Sequence, residues 1–242
     1  MTKPVSIGAA RKAEFRAAVS YYETLRTDFD NVAQILLMHL TGDRRLAKFI
    51  HSSKYRTKDP DHLMDKLLRK ETERLTEKRG RKITQKNLLK EVDDLAGVRL
   101  LHLHTKQSAD IHPAILAVLE TNKYSLAKKP VVYIWDIENR DFFKSMGIRS
   151  IERPEMYTSV HYVITSAQRP ELRIELQLRT LMEEVWGEVS HVIDYPKRTR
   201  SVACREQLKA LARLTSGCTR LVDSIFSSQW EHVDFQAKLK KK

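Results

Sequence analysis

Residues 172–179 read LRIELQLR, and residues 157–164 read YTSVHYVI. In the first stretch Leu172, Ile174, Leu176 and Leu178 alternate with Arg173, Glu175, Gln177 and Arg179. In the second, Val160, Tyr162 and Ile164 alternate with Tyr157, Ser159 and His161. A period of two is the signature of a β-strand with one apolar and one polar face. The seven residues between them, with Pro170, make a loop that lets the two strands pair as an antiparallel hairpin.

Helices and further strands extend from this hairpin in both directions. Phe15, Ala18, Tyr22, Leu25, Phe29, Val32, Leu36 and Leu40 fall three and four apart and predict a helix over 9–40. Residues 47–52 read as a short strand. Pro60 or Asp61 opens a helix that closes near Gly80. Residues 88–92 read as a short helix or turn before DLAGVRLLHLH (94–104), whose apolar density suggests a strand buried on both faces. A helix over 110–120 and a strand over 131–137 follow, and 138–155 reads as irregular. Two helices close the chain, 181–192 and 203–226. In the second, Leu208, Leu211, Leu214, Cys218, Leu221 and Ile225 share a face. Strands bracketed by helices, with a hairpin among them, predict an α+β fold: a mixed sheet with helical extensions at both ends.

The 242 residues are 41% apolar, enough for a sizeable core, and no run reaches the ~18 apolar residues that would span a bilayer. No secretory signal is visible at the start. Cys204 and Cys218 are 14 residues apart on one predicted helix, too far to bond to each other, which fits a reducing, cytoplasmic setting. Lys and Arg number 44 against 31 Asp and Glu, a net charge of +13. Between Arg44 and Arg99 alone there are 17 basic and 9 acidic residues. Such an excess points to an anionic partner, either nucleotide phosphates, RNA or an acidic protein.

Three groups of residues can carry chemistry. Glu175 and Gln177 share a strand face and would meet Tyr157, Ser159 and His161 across the hairpin; the plain alternative is a solvated sheet face. Asp94 stands just before the apolar strand, and with Glu175 it would make a carboxylate pair of the kind that holds Mg²⁺ beside phosphates. It could equally cap a turn. Lys54, Arg56 and Lys58 alternate in an extended segment ahead of Lys66, a cradle for polyphosphate or a merely solvated basic face. His102 and His104 could form a metal pair, but no third ligand is evident.

Taken in order, Arg56-x-Lys58, Lys66, Asp94-x-x-Gly97-x-Arg99, Tyr157-x-Ser159-x-His161 and Glu175-x-Gln177-x-Arg179-Thr180 resemble the RelA/SpoT synthetase domain. ELQLRTLMEEVWGEVSHVIDYP (175–196) is similar to that family's strand-plus-helix signature. The resemblance covers about residues 45–197. It divides the chain into a helical extension (1–44), a synthetase-like domain (45–197) and a C-terminal helix with a basic tail (198–242).

The resemblance implies a nucleotidyltransferase-like fold. It implies transfer of the β,γ-pyrophosphate of ATP to the ribose 3′-hydroxyl of GDP or GTP, giving the alarmone (p)ppGpp and AMP. By position, Arg56 and Arg99 would sandwich the adenine and Lys58 and Lys66 would hold the ATP phosphates. Asp94 and Glu175 would be catalytic and hold Mg²⁺, with Glu175 as the base. Tyr157 would stack on the acceptor base, with His161 and Gln177 orienting the acceptor. The sequence departs from the family where His62 replaces the usual Ser, and in the acceptor loop. That loop usually reads Pro-Lys-x-Asn-Gly-Tyr, and here it reads IERPEMY (151–157). Relatives that act as toxins place the same pyrophosphate on the 3′ CCA end of tRNA, so tRNA stays open as acceptor. A non-catalytic RNA-binding module and a homo-oligomer also stay open.

Overall fold

The computed structural model describes residues 6–153, 155–194 and 199–240. Helix α1 (Ala9–Gly42) buries Phe15, Ala18, Tyr22, Phe29, Ala33, Leu36 and Leu40, the stripe that its periodicity predicted, with Ala33 inward and Leu25 and Val32 at the margin. One turn, α2 (Arg44–Ala47), is capped by Asp43, and the first strand, β1 (Ser52–Thr57), starts only after it. The strand predicted over 47–52 is therefore displaced. Residues 52–57 are polar and mostly exposed, so the ladder to its neighbour defines this edge strand and apolar alternation does not.

Helix α3 (Pro60–Glu77) begins as its sequence dictates. The Asp59 side chain accepts from the backbone N–H of Asp61 and His62, and Pro60 takes the first helical position. The helix stops at Lys78, which adopts a left-handed backbone. The turn α4 (Leu88–Glu91) leads into β2 (Ala96–His102), and α5 (Ser108–Thr121) crosses to β3 (Tyr124–Ile134). That strand covers 131–134 of the stretch predicted over 131–137 but starts seven residues earlier, because its first half is mostly exposed and carries no apolar signal. The segment predicted as irregular, 138–155, contains α6 (Arg140–Ser145) and β4 (Arg149–Glu152). The hairpin is β5 (Ser159–Ser166) and β6 (Ile174–Thr180), antiparallel as expected.

The six strands form one mixed sheet in the order β1-β2-β6-β5-β3-β4, with β2–β6 and β3–β4 parallel and the other pairs antiparallel. Helix α7 (Leu181–Asp194) leaves the end of β6 through a capping box. The Thr180 hydroxyl accepts from the Glu183 N–H (3.2 Å), and the Glu183 carboxylate accepts from the Thr180 N–H (2.7 Å). Helix α8 (Val202–Leu239) runs thirteen residues past its predicted end at 226. It also turns the wrong face inward: Ala212, Thr215, Thr219 and Asp223 are buried, while Leu214, Leu221 and Ile225 are exposed. The buried face is fixed by polar bonds, since Asp223 accepts from His104 Nδ1 (2.6 Å) and the Lys106 N–H (2.8 Å). His102 and His104 are thus committed structurally, His102 by its bond to the His104 carbonyl (3.0 Å). The domain boundary drawn at 197 lies outside the described residues. Among the described residues no helix is long and apolar enough to cross a membrane.

Candidate active site

Strand register assembles the site. Lys54 pairs with Arg99, Arg99 with Gln177, and Gln177 with His161, so one row of four polar side chains crosses β1, β2, β6 and β5 on a single face. Two residues along, Arg56 pairs with Gly97 and Gly97 with Glu175. Gly97 leaves a gap between an arginine and a carboxylate, and that gap is the floor of a cleft of about 360 Å³. A Cβ at Gly97 would meet only the Glu175 carbonyl, at 3.5 Å, so packing alone does not require glycine there.

Lys54, Arg56, Lys58, Lys66, Arg69 and Arg99 line this cleft together with Asp94 and Glu175. Lys58 Nζ donates to one Asp94 oxygen (2.9 Å) and Lys66 Nζ to the other (2.6 Å). Burial alone would push the Asp94 carboxyl up; the Lys66 and Lys58 ammonium groups outweigh it and hold the carboxyl well below the usual range. Burial in turn pulls Lys58 down, partly offset by Asp94. Helix α1 fixes the backbone here: the buried Tyr22 hydroxyl donates to the Lys58 and Leu95 carbonyls (2.7 and 3.0 Å).

A second cleft of about 510 Å³ shares Arg56, Asp94, Arg99, Glu175, Gln177 and His191 with the first and continues to Tyr133, Arg153, Tyr157, His161 and Arg179. Here the hydrogen bonds form a chain. Arg179 donates to the Tyr157 hydroxyl, which is 2.9 Å from His161 Nε2. His161 Nδ1 lies 3.0 Å from Glu175 Oε1, and Gln177 Nε2 donates to Glu175 Oε2 (2.6 Å). A His161 tautomer with its proton on Nδ1 satisfies all of these bonds. Burial raises the Glu175 carboxyl, yet His161 more than offsets it and the net direction is down. Burial raises the Tyr157 phenol. The Arg179 guanidinium covers one face of Tyr157, 4.7 Å from the ring centroid, and Arg153 lies 4.4 Å over Tyr133.

All nine residues singled out from the sequence (Arg56, Lys58, Lys66, Asp94, Arg99, Tyr157, His161, Glu175 and Gln177) therefore line two joined clefts. The sequence reading missed Glu184 and Glu188, four apart on α7. Glu184 holds Arg99 (2.6 Å) and Lys54 (2.8 Å), and Glu188 holds the same pair at 2.7 and 2.9 Å. Burial would raise Glu188, but Lys54 and Arg99 hold it at about 2. The missed signal was the i, i+4 carboxylate spacing just after the Arg179-Thr180 strand end. Among the described residues no three His, Cys, Asp or Glu converge to hold a metal ion. A hard cation shared with substrate phosphates needs fewer, and the Asp94–Glu175 oxygen pair fits Mg²⁺ in chemical type.

A family model described as a region found in RelA/SpoT proteins matches residues 55–200. The chain belongs to the RelA/SpoT family. None of the curated protein sequences compared with it matches. Solved structures share its fold. The small alarmone synthetase 1 of Bacillus subtilis, bound to its product pppGpp, superimposes with a TM-score of 0.63 at 16% identity, over 86% of this chain and 97% of that one. The protein smu.1046c of Streptococcus mutans UA159 gives 0.61 at 15% identity, over 87% and 97%. A GTP pyrophosphokinase family protein of Streptococcus pneumoniae gives 0.57 at 14%, over 84% and 93%. This RelA/SpoT chain thus carries the mixed sheet and flanking helices of those proteins.

Proposed function

We propose that this RelA/SpoT protein is an ATP pyrophosphokinase that moves the β,γ-pyrophosphate of ATP to the ribose 3′-hydroxyl of a guanosine nucleotide. The observation that carries this reading is the junction of a lysine-lined cleft with a second, aromatic-lined cleft across Asp94 and Glu175. Phosphoryl-type transfer needs mainly positioning and charge neutralisation, which the first cleft supplies. Arg56 and Arg99 are diagonal neighbours across β1 and β2. Such neighbours stand roughly 7–8 Å apart, room for a flat base between two guanidinium planes. Lys58 and Lys66 would exchange Asp94 for ATP phosphates.

Asp94 and Glu175 would hold Mg²⁺, which when bound neutralises charge on the phosphates in flight. Glu175, steadied by His161 and Gln177, takes the proton of the 3′-hydroxyl as it attacks. Tyr157, whose ring lies under the Arg179 guanidinium, would stack on the acceptor base.

A second reading, transfer to the 3′ end of tRNA, is accommodated by one feature. Among the described residues no lysine lines the acceptor cleft, and of its four arginines Arg99 and Arg179 are bound to Glu184 while Arg153 lies over Tyr133. That lining suits a terminal nucleotide with a single phosphodiester on its 5′ side as well as a nucleoside di- or triphosphate. The experiment is to supply γ-labelled ATP with GDP, GTP or deacylated tRNA and follow the label. Label on GDP or GTP supports the first reading, label on tRNA the second, and label on none of them would remove both.

A further inference from the structure

Seven side chains around the two clefts close into one hydrogen-bonded ring, and Glu184 on α7 is where the ring shuts. Glu184 is 8% exposed. Both of its oxygens accept from Arg99 Nη1 (2.6 and 2.8 Å), and Oε2 also accepts from Arg179 Nη1 (3.2 Å). From each arginine an arm of hydrogen bonds runs on to Glu175. In one arm Arg99 Nε donates to Gln177 Oε1 (3.1 Å), and Gln177 Nε2 donates to Glu175 Oε2 (2.6 Å). The other arm passes from Arg179 through Tyr157 and His161 and ends on Glu175 Oε1 (3.0 Å).

Chemistry dictates the direction of these bonds. A guanidinium only donates. Arg99 therefore faces the oxygen of Gln177 and turns the amide NH₂ toward Glu175. Arg179 occupies a lone pair of the Tyr157 oxygen, which leaves the phenol proton for Nε2 of a neutral His161 and the Nδ1 proton for Glu175. Beyond the arginines, every bond in both arms points toward Glu175, and one carboxylate holds both arginines. Their side chains are 11% and 6% exposed, so neither could exchange Glu184 for water without cost.

Resting on the pyrophosphokinase reading, we infer that Glu184 is a positioning residue for both substrates at once. An arginine stacks on a base with the face of its guanidinium, while its N–H groups lie in the plane. Acceptors along that edge, Glu184 and Gln177, fix the Arg99 plane for the adenine and keep its donors off the phosphates. On the acceptor side the same carboxylate keeps Arg179 over Tyr157, 4.7 Å from the ring centroid. Glu188 is the contrast. It holds Arg99 and Lys54 in the lysine-lined cleft, and its side chain is 55% exposed.

The test is equilibrium binding, read separately for each substrate in Glu184→Gln and Glu188→Gln. The probes are a non-hydrolysable ATP analogue and whichever of GDP, GTP or deacylated tRNA takes the label. Glu184→Gln is expected to raise both dissociation constants about tenfold, the scale of one hydrogen bond to a charged group. Glu188→Gln should raise that of the ATP analogue alone, and by less, because its pairs are exposed. Circular dichroism checks folding. Should Glu184→Gln not fold, Glu184→Asp keeps the charge and withdraws the carboxylate by one methylene, and a smaller rise on both sides is expected. A folded Glu184 variant in which only one constant moves, or neither, overturns the inference and leaves the pyrophosphokinase reading in place. A purely structural carboxylate would give that result, with a lower melting temperature and unchanged binding. A wild-type chain that binds no ATP analogue, or labels no acceptor, removes that reading and the role of Glu184 with it.

Discussion

Asp94 binds two lysines at once, and this makes its role separable from its charge. Asp94→Asn keeps the shape, removes the charge and leaves Lys58 and Lys66 facing each other; Glu175→Gln keeps shape and loses the base. Each change is expected to lower transfer by a few orders of magnitude while the melting transition survives, read from initial rates and circular dichroism. Activity within tenfold of wild type would remove that residue from the mechanism. Gly97 makes a complementary case. Its backbone is ordinary strand, so Gly97→Leu should fold, yet its side chain would stand in the floor of the lysine-lined cleft. Titration with a non-hydrolysable ATP analogue should show loss of binding. At Gly187 the constraint is contact: a Cβ there would lie 2.8 Å from Arg179 Nη1. Gly187→Ala is therefore expected to displace Arg179 from Tyr157 and raise the acceptor KM several-fold, with the ATP KM unchanged. A rise in the ATP KM alone would mean that Arg179 serves the other cleft.

Elements differ in how plainly their residues announce them. Strands β5 and β6 were legible because each has one apolar and one polar face, and the polar faces held the site. Strand β1 was misplaced because SSKYRT offers a ladder and no alternation, and the first half of β3 failed for the same reason. On α8 the apolar period was real but its direction was not, since His104 and Asp223 decide which side faces the sheet. The strand residues that line the clefts were therefore legible, while the contacts of Glu184 and Glu188 depend on how α7 docks, which their i, i+4 spacing alone does not fix. That docking starts at the Thr180–Glu183 capping box. Thr180→Ala should cost about 1 kcal/mol. That corresponds to roughly 2–4 °C in melting temperature for a domain of this size.

For the whole molecule, charge sets both stability and substrate access. Glu71 on α3 joins Arg74 on its own helix and Arg11 on α1. The Arg74 bond lowers its carboxyl most; burial pushes up, Arg11 adds to the lowering, and the result is about 2. A carboxylate held down in the folded state stabilises above the ordinary Glu range near ~4.3. It gives up that stability as pH falls toward 2. Glu71→Gln should therefore flatten the melting temperature between pH 5 and 2; an unchanged slope would take α1–α3 pairing out of acid unfolding. Arg79, Arg81 and Lys82 are exposed on the connection after α3. Neutralising all three is expected to spare transfer to a free nucleotide, whereas a tRNA acceptor would lose affinity and salt dependence. Among the described residues the two clefts run into one another across Arg56, Asp94, Arg99, Glu175, Gln177 and His191, so on the proposed reading donor and acceptor would meet in one chamber. In such a chamber a single in-line displacement turns the β-phosphorus of ATP over once. Isotopically chiral phosphorus should thus emerge with inverted handedness, while a covalent stop on His161 or Glu175 would turn it twice and restore the original hand.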